Sequence, residues 1–82
     1  MTTLTIYVLE HCSGCDRARQ TADAIRRRLP EVRVEVVDLD DRGPAPAGVV
    51  GVPAYVVNGR VVSHGNPRLE ALLELLSRQA GA

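Results

Sequence analysis

Two cysteines, in the run Cys12-Ser13-Gly14-Cys15, are the residues of this 82-residue chain whose type and spacing best suit chemistry. Two thiols at this spacing can form a disulfide, exchange disulfides with another molecule, or bind a soft metal ion. The chain has no other cysteine, and in a reducing cytosol a lone close pair is more often catalytic or metal-binding than structural. Because Ser13 and Gly14 are small, we expect an accessible dithiol.

The cysteine pair lies between a predicted strand and the start of a predicted helix. Placed on the first turn of that helix, the two Cα atoms are about 5–6 Å apart, within the range of a disulfide. Unpaired amides and the helix dipole favour a thiolate at Cys12, and lowering its pKa from ~8.5 to ~7 corresponds to about 2 kcal/mol. Cys15 falls on the apolar stripe and should be buried. We therefore predict that Cys12 attacks and Cys15 resolves.

Charged neighbours act on this thiolate in opposite directions. A protonated His11 stabilises it, whereas the carboxylates of Glu10 and Asp16 oppose it. Arg17 and Arg19 compensate part of that opposition. The sequence leaves the net effect on the thiol pKa open.

The first half of the chain has a β-α-β pattern. Residues 3–9 alternate as in a strand and are expected to be covered on both faces. Apolar residues then recur every three or four positions from Cys15 to Leu29, which predicts a helix that Pro30 ends. Residues 32–39, rich in valine, predict a second strand. The first two strands should be parallel, since a helix connects them.

The second half predicts a loop, a hairpin and a closing helix. Residues 40–48 are rich in polar residues and breakers, so at most one helical turn is expected there. Strands at 54–57 and 60–63 flank Asn58-Gly59, a typical tight-turn pair. Asn66 is a candidate cap for a helix extending to Gln79, with Pro67 in its first position. The result is a single α/β domain over residues 1–82, β-α-β-(loop)-β-β-α, with a four-stranded mixed sheet.

Composition limits the partners. Ten arginines, no lysine and ten acidic residues give a net charge of zero, which argues against nucleic acid. No apolar run reaches the ~18 residues of a membrane span, and the N-terminus lacks signal-peptide features, so a cytoplasmic protein without a membrane partner is expected. With no Phe or Trp, Tyr7 and Tyr55 should serve as packing residues in an aliphatic core.

The order of elements is strand, C-x-x-C, helix, strand, and then Gly51-Val52-Pro53 before a hairpin and a final helix. This order resembles the thioredoxin superfamily over nearly the whole chain. The resemblance implies that Pro53 is cis and packs beside the dithiol. It also implies that the backbone of Val52 pairs with the substrate and that Gly65 lies near the same groove. His11, Ser13 and Gly14, which surround the attacking cysteine, complete the candidate substrate-binding set.

The chain also departs from the pattern of full thioredoxins. His11 stands in the place of their tryptophan, Ser13-Gly14 replaces Gly-Pro, and Ile6 occupies the position of a buried aspartate. The second crossover helix is reduced to a loop. The size resembles glutaredoxins, although their glutathione-binding lysine and their Cys-Pro-Tyr-Cys motif are absent. The chain is therefore similar to a minimal thioredoxin-like or glutaredoxin-like protein.

The resemblance implies a thiol–disulfide oxidoreductase that acts on the disulfide of a protein or of a low-molecular-weight thiol. Such a protein needs a reductase or a thiol as electron donor, requires no bound cofactor and is expected to be a monomer. The alternative is a soft-metal chaperone that binds Cu(I) through the same two cysteines. An iron–sulfur-bridged dimer through Cys12 is a third possibility. Zinc is disfavoured, because only His11 and His64 could add ligands, so no metal site is predicted.

Overall fold

The computed structural model, which describes residues 1–80, contains seven elements: the six predicted ones in the predicted order and one short helix in the segment between the second and third strands. They are β1 (Thr3–Val8), α1 (Cys15–Arg28), β2 (Arg33–Asp38), α2 (Leu39–Arg42), β3 (Ala54–Val57), β4 (Arg60–His64) and α3 (Leu69–Ala80). The segment predicted as a loop begins with α2, which is one turn long. The chain between α2 and β3 is without regular structure.

The strands form one mixed sheet in the order β2-β1-β3-β4. Strand β1 pairs in parallel with β2, from Thr3 opposite Arg33 to Val8 opposite Asp38. It pairs antiparallel with β3, and β3 pairs antiparallel with β4. The α/β fold with a four-stranded mixed sheet is thereby confirmed. Because β1 and β3 are neighbouring antiparallel strands, the loop that follows β1 and the loop that precedes β3 meet at one end of the sheet.

The core fills one face of the sheet. Alternate β1 residues Leu4, Ile6 and Val8 are fully buried and share one cluster with residues of both long helices. The helical members of that cluster are Cys15, Ala18, Ala22, Ile25, Leu72 and Leu76. Helices α1 and α3 therefore pack their apolar stripes on this same face of the sheet.

The opposite face of the sheet is less well covered than predicted. Thr3, Thr5 and Tyr7 alternate with the buried β1 residues and are only half-buried. Ala54 and Val56 of β3, which lie beside Tyr7 and Thr5 on this face, are buried. The expectation that β1 is covered on both faces therefore holds only in part. The reason is the second crossover, where a single helical turn and a loop replace a full helix.

The hairpin turn fits the predicted Asn-Gly pair. Asn58 has φ 49° and Gly59 has φ 84°, the left-handed region that this tight turn requires. Asn58 Oδ1 also accepts a hydrogen bond from the Thr3 amide at 2.9 Å, which ties the turn to the start of β1. The side chain thus has a conformational and a bonding role.

Replacing Asn58 with alanine is expected to lower the free energy of unfolding by about 2 kcal/mol, from the lost hydrogen bond and the left-handed backbone. Asn58→Gly removes only the hydrogen bond, so it should lower the free energy of unfolding by less than Asn58→Ala does. Urea unfolding of the oxidised protein measures both. An alanine variant as stable as the glycine variant would contradict the assigned conformational role.

Candidate active site

Cys12 and Cys15 are joined by a disulfide with a Cα–Cα distance of 5.2 Å, within the predicted range. Helix α1 begins at Cys15, not at Cys12. The prediction that both cysteines lie on the first helical turn is therefore wrong for Cys12, which belongs to the preceding turn. The Cys15 amide donates to the Cys12 carbonyl at 3.1 Å and closes that turn. The helix N-terminus still lies directly beside the sulfurs.

The two cysteines differ in exposure. Cys15 is fully buried in the core, whereas Cys12 is half-buried at its edge. Cys12 Sγ lies 3.4 Å from the Ser13 carbonyl oxygen, a contact without a proton in the disulfide form. An incoming molecule therefore reaches Cys12 more readily than Cys15.

Gly14 is the cap residue of α1 and has φ 91°, a conformation that glycine adopts without steric cost. Its carbonyl accepts the Ala18 amide at 3.0 Å, which starts the helical ladder. A β-carbon at Gly14 would lie 3.9 Å from Pro53 Cδ, so Pro53 packs beside the turn that holds the cysteines. The glycine thus fits both the backbone geometry and the available space.

The segment around Pro53 brings the second half of the chain to the dithiol. The Val52–Pro53 peptide bond is cis, Pro53 is buried and Val52 is half-buried. The Pro53 carbonyl accepts the Gly65 amide at 2.7 Å. Gly14, Pro53 and Gly65 therefore lie in one connected group. His11 and Ser13 are both exposed beside Cys12.

Asn66 belongs to the same group, although the sequence predicted it as a helix cap. Helix α3 begins at Leu69, and its bonding starts where the Leu72 amide donates to the Arg68 carbonyl at 3.0 Å. The predicted cap at Asn66 and helical start at Pro67 are therefore wrong. The Asn66 side chain instead bonds Tyr55 and Gly14. A buried tyrosine needs a partner for its hydroxyl, and that was the available signal.

Several charged side chains lie on the segments next to the dithiol, and Arg19 pairs with Asp16. Arg19 lies 3.5 Å from Asp16 and 3.8 Å from Asp38, so one arginine offsets two carboxylates near the helix start. The Glu10 amide donates to Asp40 Oδ2 at 3.1 Å, which ties the loop before Cys12 to α2. Each of these carboxylates disfavours a nearby thiolate, and the helix N-terminus favours it.

His64 and Val50 are two exposed residues that a hydrogen bond joins, one after the Pro53 segment and one before it in the chain. His64 ends β4, and its Nε2 accepts the Val50 amide at 3.3 Å. Val50 is 87% exposed, an unusual state for a large apolar residue in this chain. His64 is therefore a residue at the end of the edge strand β4, with a hydrogen bond to the loop before β3.

A surface cavity of about 570 Å³ opens between α1 and α3. Its lining includes Arg17, Gln20 and Thr21 from α1, and Asn66 and Arg68 from the segment before α3. Neither cysteine lines it. Within residues 1–80, no group of three or more His, Cys, Asp or Glu side chains is placed to hold a metal ion.

Burial raises the pKa of Tyr55 above its ordinary value of 10.0, against smaller opposing effects of a Thr21 hydrogen bond and the Arg17 charge. The folded state therefore retains the proton longer than the unfolded chain does. The resulting stability is complete below about pH 10 and is lost as the pH rises through the folded-state pKa.

We expect Tyr55→Phe to flatten this alkaline decline, measured as unfolding free energy of the oxidised protein between pH 9 and 11. Equally steep declines in the wild type and in Tyr55→Phe would contradict the assignment of this pH dependence to Tyr55.

Comparisons with known proteins identify the kind of protein to which this geometry belongs. A family model described as a thioredoxin domain matches residues 3–77. The thioredoxin of Methanocaldococcus jannaschii is 28% identical over 80 residues, which cover 93% of both chains.

Solved structures show the same fold. A mutant thioredoxin from Halobacterium salinarum superposes with a TM-score of 0.78 at 24% identity, over 94% of this chain and 73% of that one. Thioredoxin-2 of the malaria parasite gives a TM-score of 0.82 at 13% identity, over 95% and 82%. At these identities the likeness is one of fold.

The mixed sheet, the helix that begins at a disulfide-bonded cysteine and the proline segment beside it define a thioredoxin-fold protein with a redox-active cysteine pair. The chain belongs to the thioredoxin family. That membership supports thiol–disulfide oxidoreductase chemistry in general, with disulfide substrates and reductase partners. Among residues 1–80, no helix is long and apolar enough to cross a membrane.

Proposed function

We propose that this protein is a thiol–disulfide oxidoreductase in which Cys12 is the attacking thiol and Cys15 the resolving thiol. The observation that carries the proposal is the disulfide between a half-buried and a fully buried cysteine at the start of α1. The half-buried Cys12 is the cysteine that another molecule's disulfide can reach, and the fully buried Cys15 reaches only its neighbour. Family membership supports the same chemistry.

The reaction starts from the dithiol and transfers two electrons. The Cys12 thiolate attacks one sulfur of the substrate disulfide, that S–S bond breaks, and the released substrate thiolate takes up a proton. The Cys15 thiol then loses its proton and attacks Cys12 Sγ. The mixed disulfide breaks, the second substrate thiolate leaves and is protonated, and the Cys12–Cys15 disulfide remains. An external thiol or a reductase restores the dithiol with two electrons and two protons.

The substrate groove follows from the same group of residues. Pro53 and Gly65 form its floor beside Gly14, and the exposed His11 and Ser13 border Cys12. In this proposal the half-buried Val52 offers its backbone to an extended substrate segment, as β-augmentation requires. Its exposed neighbour Val50 adds an apolar rim. The groove is thus suited to a protein or small-thiol disulfide with an apolar neighbour, and no bound organic cofactor takes part.

Trapping of the mixed disulfide tests the assignment of the two cysteines. Reduced Cys15→Ser, mixed with a disulfide-containing protein, should accumulate a covalent complex through Cys12, because no resolving thiol remains. Cys12→Ser, the matched control, should accumulate none, since Cys15 is buried. A complex of equal yield through Cys15 would overturn the assignment of roles.

Cu(I) binding by the same two sulfurs is the alternative function. It requires both thiols to be reduced, so a protein that acts as a metal carrier should resist formation of the disulfide. Several expectations stay predictions: a single domain over residues 1–82, a cytoplasmic location, a monomer, and the absence of nucleic-acid and membrane partners. We add them to the proposal on the balanced charge and the small size of the chain.

A further inference from the structure

The Asn66 side chain connects the middle of the sheet to the turn between the two cysteines. The Tyr55 hydroxyl donates to Asn66 Oδ1 at 2.7 Å, and Asn66 Nδ2 donates to the Gly14 carbonyl at 3.0 Å. A carbonyl oxygen can only accept, so the amide nitrogen must face Gly14 and the amide oxygen must face the tyrosine. We call this chain of two bonds the Tyr55–Asn66–Gly14 bridge. Its partners determine its orientation.

Tyr55 is a rigid anchor for the bridge. It is fully buried in β3, with Ile6 of β1 on one side and Ser63 of β4 on the other. A phenol with an ordinary pKa of 10.0, which burial here raises further, keeps its proton at neutral pH, so the hydroxyl remains a donor. Asn66 is itself exposed. Its amide is held by its two hydrogen bonds, one of which comes from the buried tyrosine of β3.

Gly14 is the end of the bridge that lies between the two cysteines. A β-carbon on this residue would lie 3.1 Å from Asn66 Nδ2, so the amide occupies the space that a side chain at Gly14 would need. Gly14 lies between Cys12 and Cys15, whose Cα atoms are 5.2 Å apart. A displacement of Gly14 therefore moves the two cysteines relative to each other.

We propose that Asn66 is a positioning residue that favours the disulfide over the dithiol, by holding the Gly14 turn where the two sulfurs can meet. The proposal rests on the proposed function. Restraining two thiols near bonding distance raises their effective concentration toward each other. The redox reaction that measures this is reduction by glutathione. Two glutathione thiols supply two electrons and two protons, the Cys12–Cys15 disulfide becomes a dithiol, and one glutathione disulfide forms.

Asn66→Asp is the sharpest variant. A carboxylate keeps an oxygen to accept the Tyr55 hydroxyl, yet it replaces the donor to Gly14 with an acceptor that repels the carbonyl. We expect the equilibrium constant for disulfide formation to fall about fivefold, the scale of one hydrogen bond, and the reduction potential to rise by about 20 mV. Gln20→Glu is the matched control. It adds the same charge to the same cavity without a bond to Gly14. Its equilibrium constant for disulfide formation should therefore stay within twofold of the wild-type value.

A double-mutant cycle tests whether Tyr55 acts through Asn66. Tyr55→Phe alone should shift the potential in the same direction as Asn66→Leu. In the Asn66→Leu background, Tyr55→Phe should cause no further shift, since the link to Gly14 is already broken. Independent shifts that add would overturn the role of Tyr55 as the anchor of the bridge.

Melting temperatures of both redox forms separate positioning from plain stabilisation. If the bridge favours the disulfide, Asn66→Asp lowers the melting temperature of the oxidised protein more than that of the reduced protein. Equal losses in the two forms, with an unchanged potential, would overturn the proposal. A wild-type pair that does not cycle at all would instead overturn the proposed function, so the two failures are distinguishable.

Discussion

Cys12→Ser is expected to lower the rate of disulfide reduction by at least ~10³-fold, the scale of losing a catalytic nucleophile. A serine hydroxyl has nearly the shape of a thiol, but at neutral pH it supplies almost no anion for attack. The buried Cys15 has no equivalent access to a second molecule. The loss should therefore be chemical, with the fold unchanged.

The measurement is the initial rate of reduction of a protein disulfide, with excess small thiol as electron donor. Ser77→Ala, on the exposed side of α3, is the control and should retain the wild-type rate. Circular dichroism of both variants checks that the fold is retained. Activity of Cys12→Ser within tenfold of the wild type would contradict attack by Cys12.

Leu76→Ala is expected to lower the free energy of unfolding by about 2–5 kcal/mol, the range for a fully buried leucine. Leu76 has no exposed surface and belongs to the cluster that joins α3 to α1 and the sheet. Small domains have total stabilities of about 5–15 kcal/mol, so this one side chain carries a large share. Its loss should also loosen the packing behind Cys15.

Leu75→Ala is the matched control, because Leu75 is only half-buried on the same helix. Urea unfolding of the oxidised forms should show a clearly smaller loss for Leu75→Ala than for Leu76→Ala. Similar losses, or a larger one for Leu75, would contradict the assignment of Leu76 to the core.

Local patterns predicted most of the elements because each depends on neighbours in sequence. The alternation around Ile6 and the three-to-four spacing from Cys15 to Ile25 record which side chains face the core. The Asn58-Gly59 pair specifies its turn by backbone preference alone. The dithiol was equally visible, since two cysteines at this spacing are a sequence pattern that needs no distant contact to be noticed.

The parts that sequence did not predict depend on contacts between distant residues. Asn66 before a proline is typical of a helix cap, yet its amide bonds Tyr55, 11 positions away, and Gly14, 52 positions away. Nothing in the local pattern of either segment records that meeting. The start of α1 at Cys15 likewise follows from the left-handed conformation of Gly14. Pro53 and Gly65 were linked to the dithiol only through the family resemblance.

The proposal that this protein cycles between a dithiol and the Cys12–Cys15 disulfide is tested most directly by a redox titration of the metal-free protein. Mass-tagged alkylation counts the free thiols at each ratio of reduced to oxidised glutathione or dithiothreitol. We predict one reversible two-electron transition between about −300 and −120 mV, in which both cysteines lose and regain their thiols together. A pair that stays reduced across this range, or that Cu(I) protects from alkylation in place of oxidation, would contradict the account.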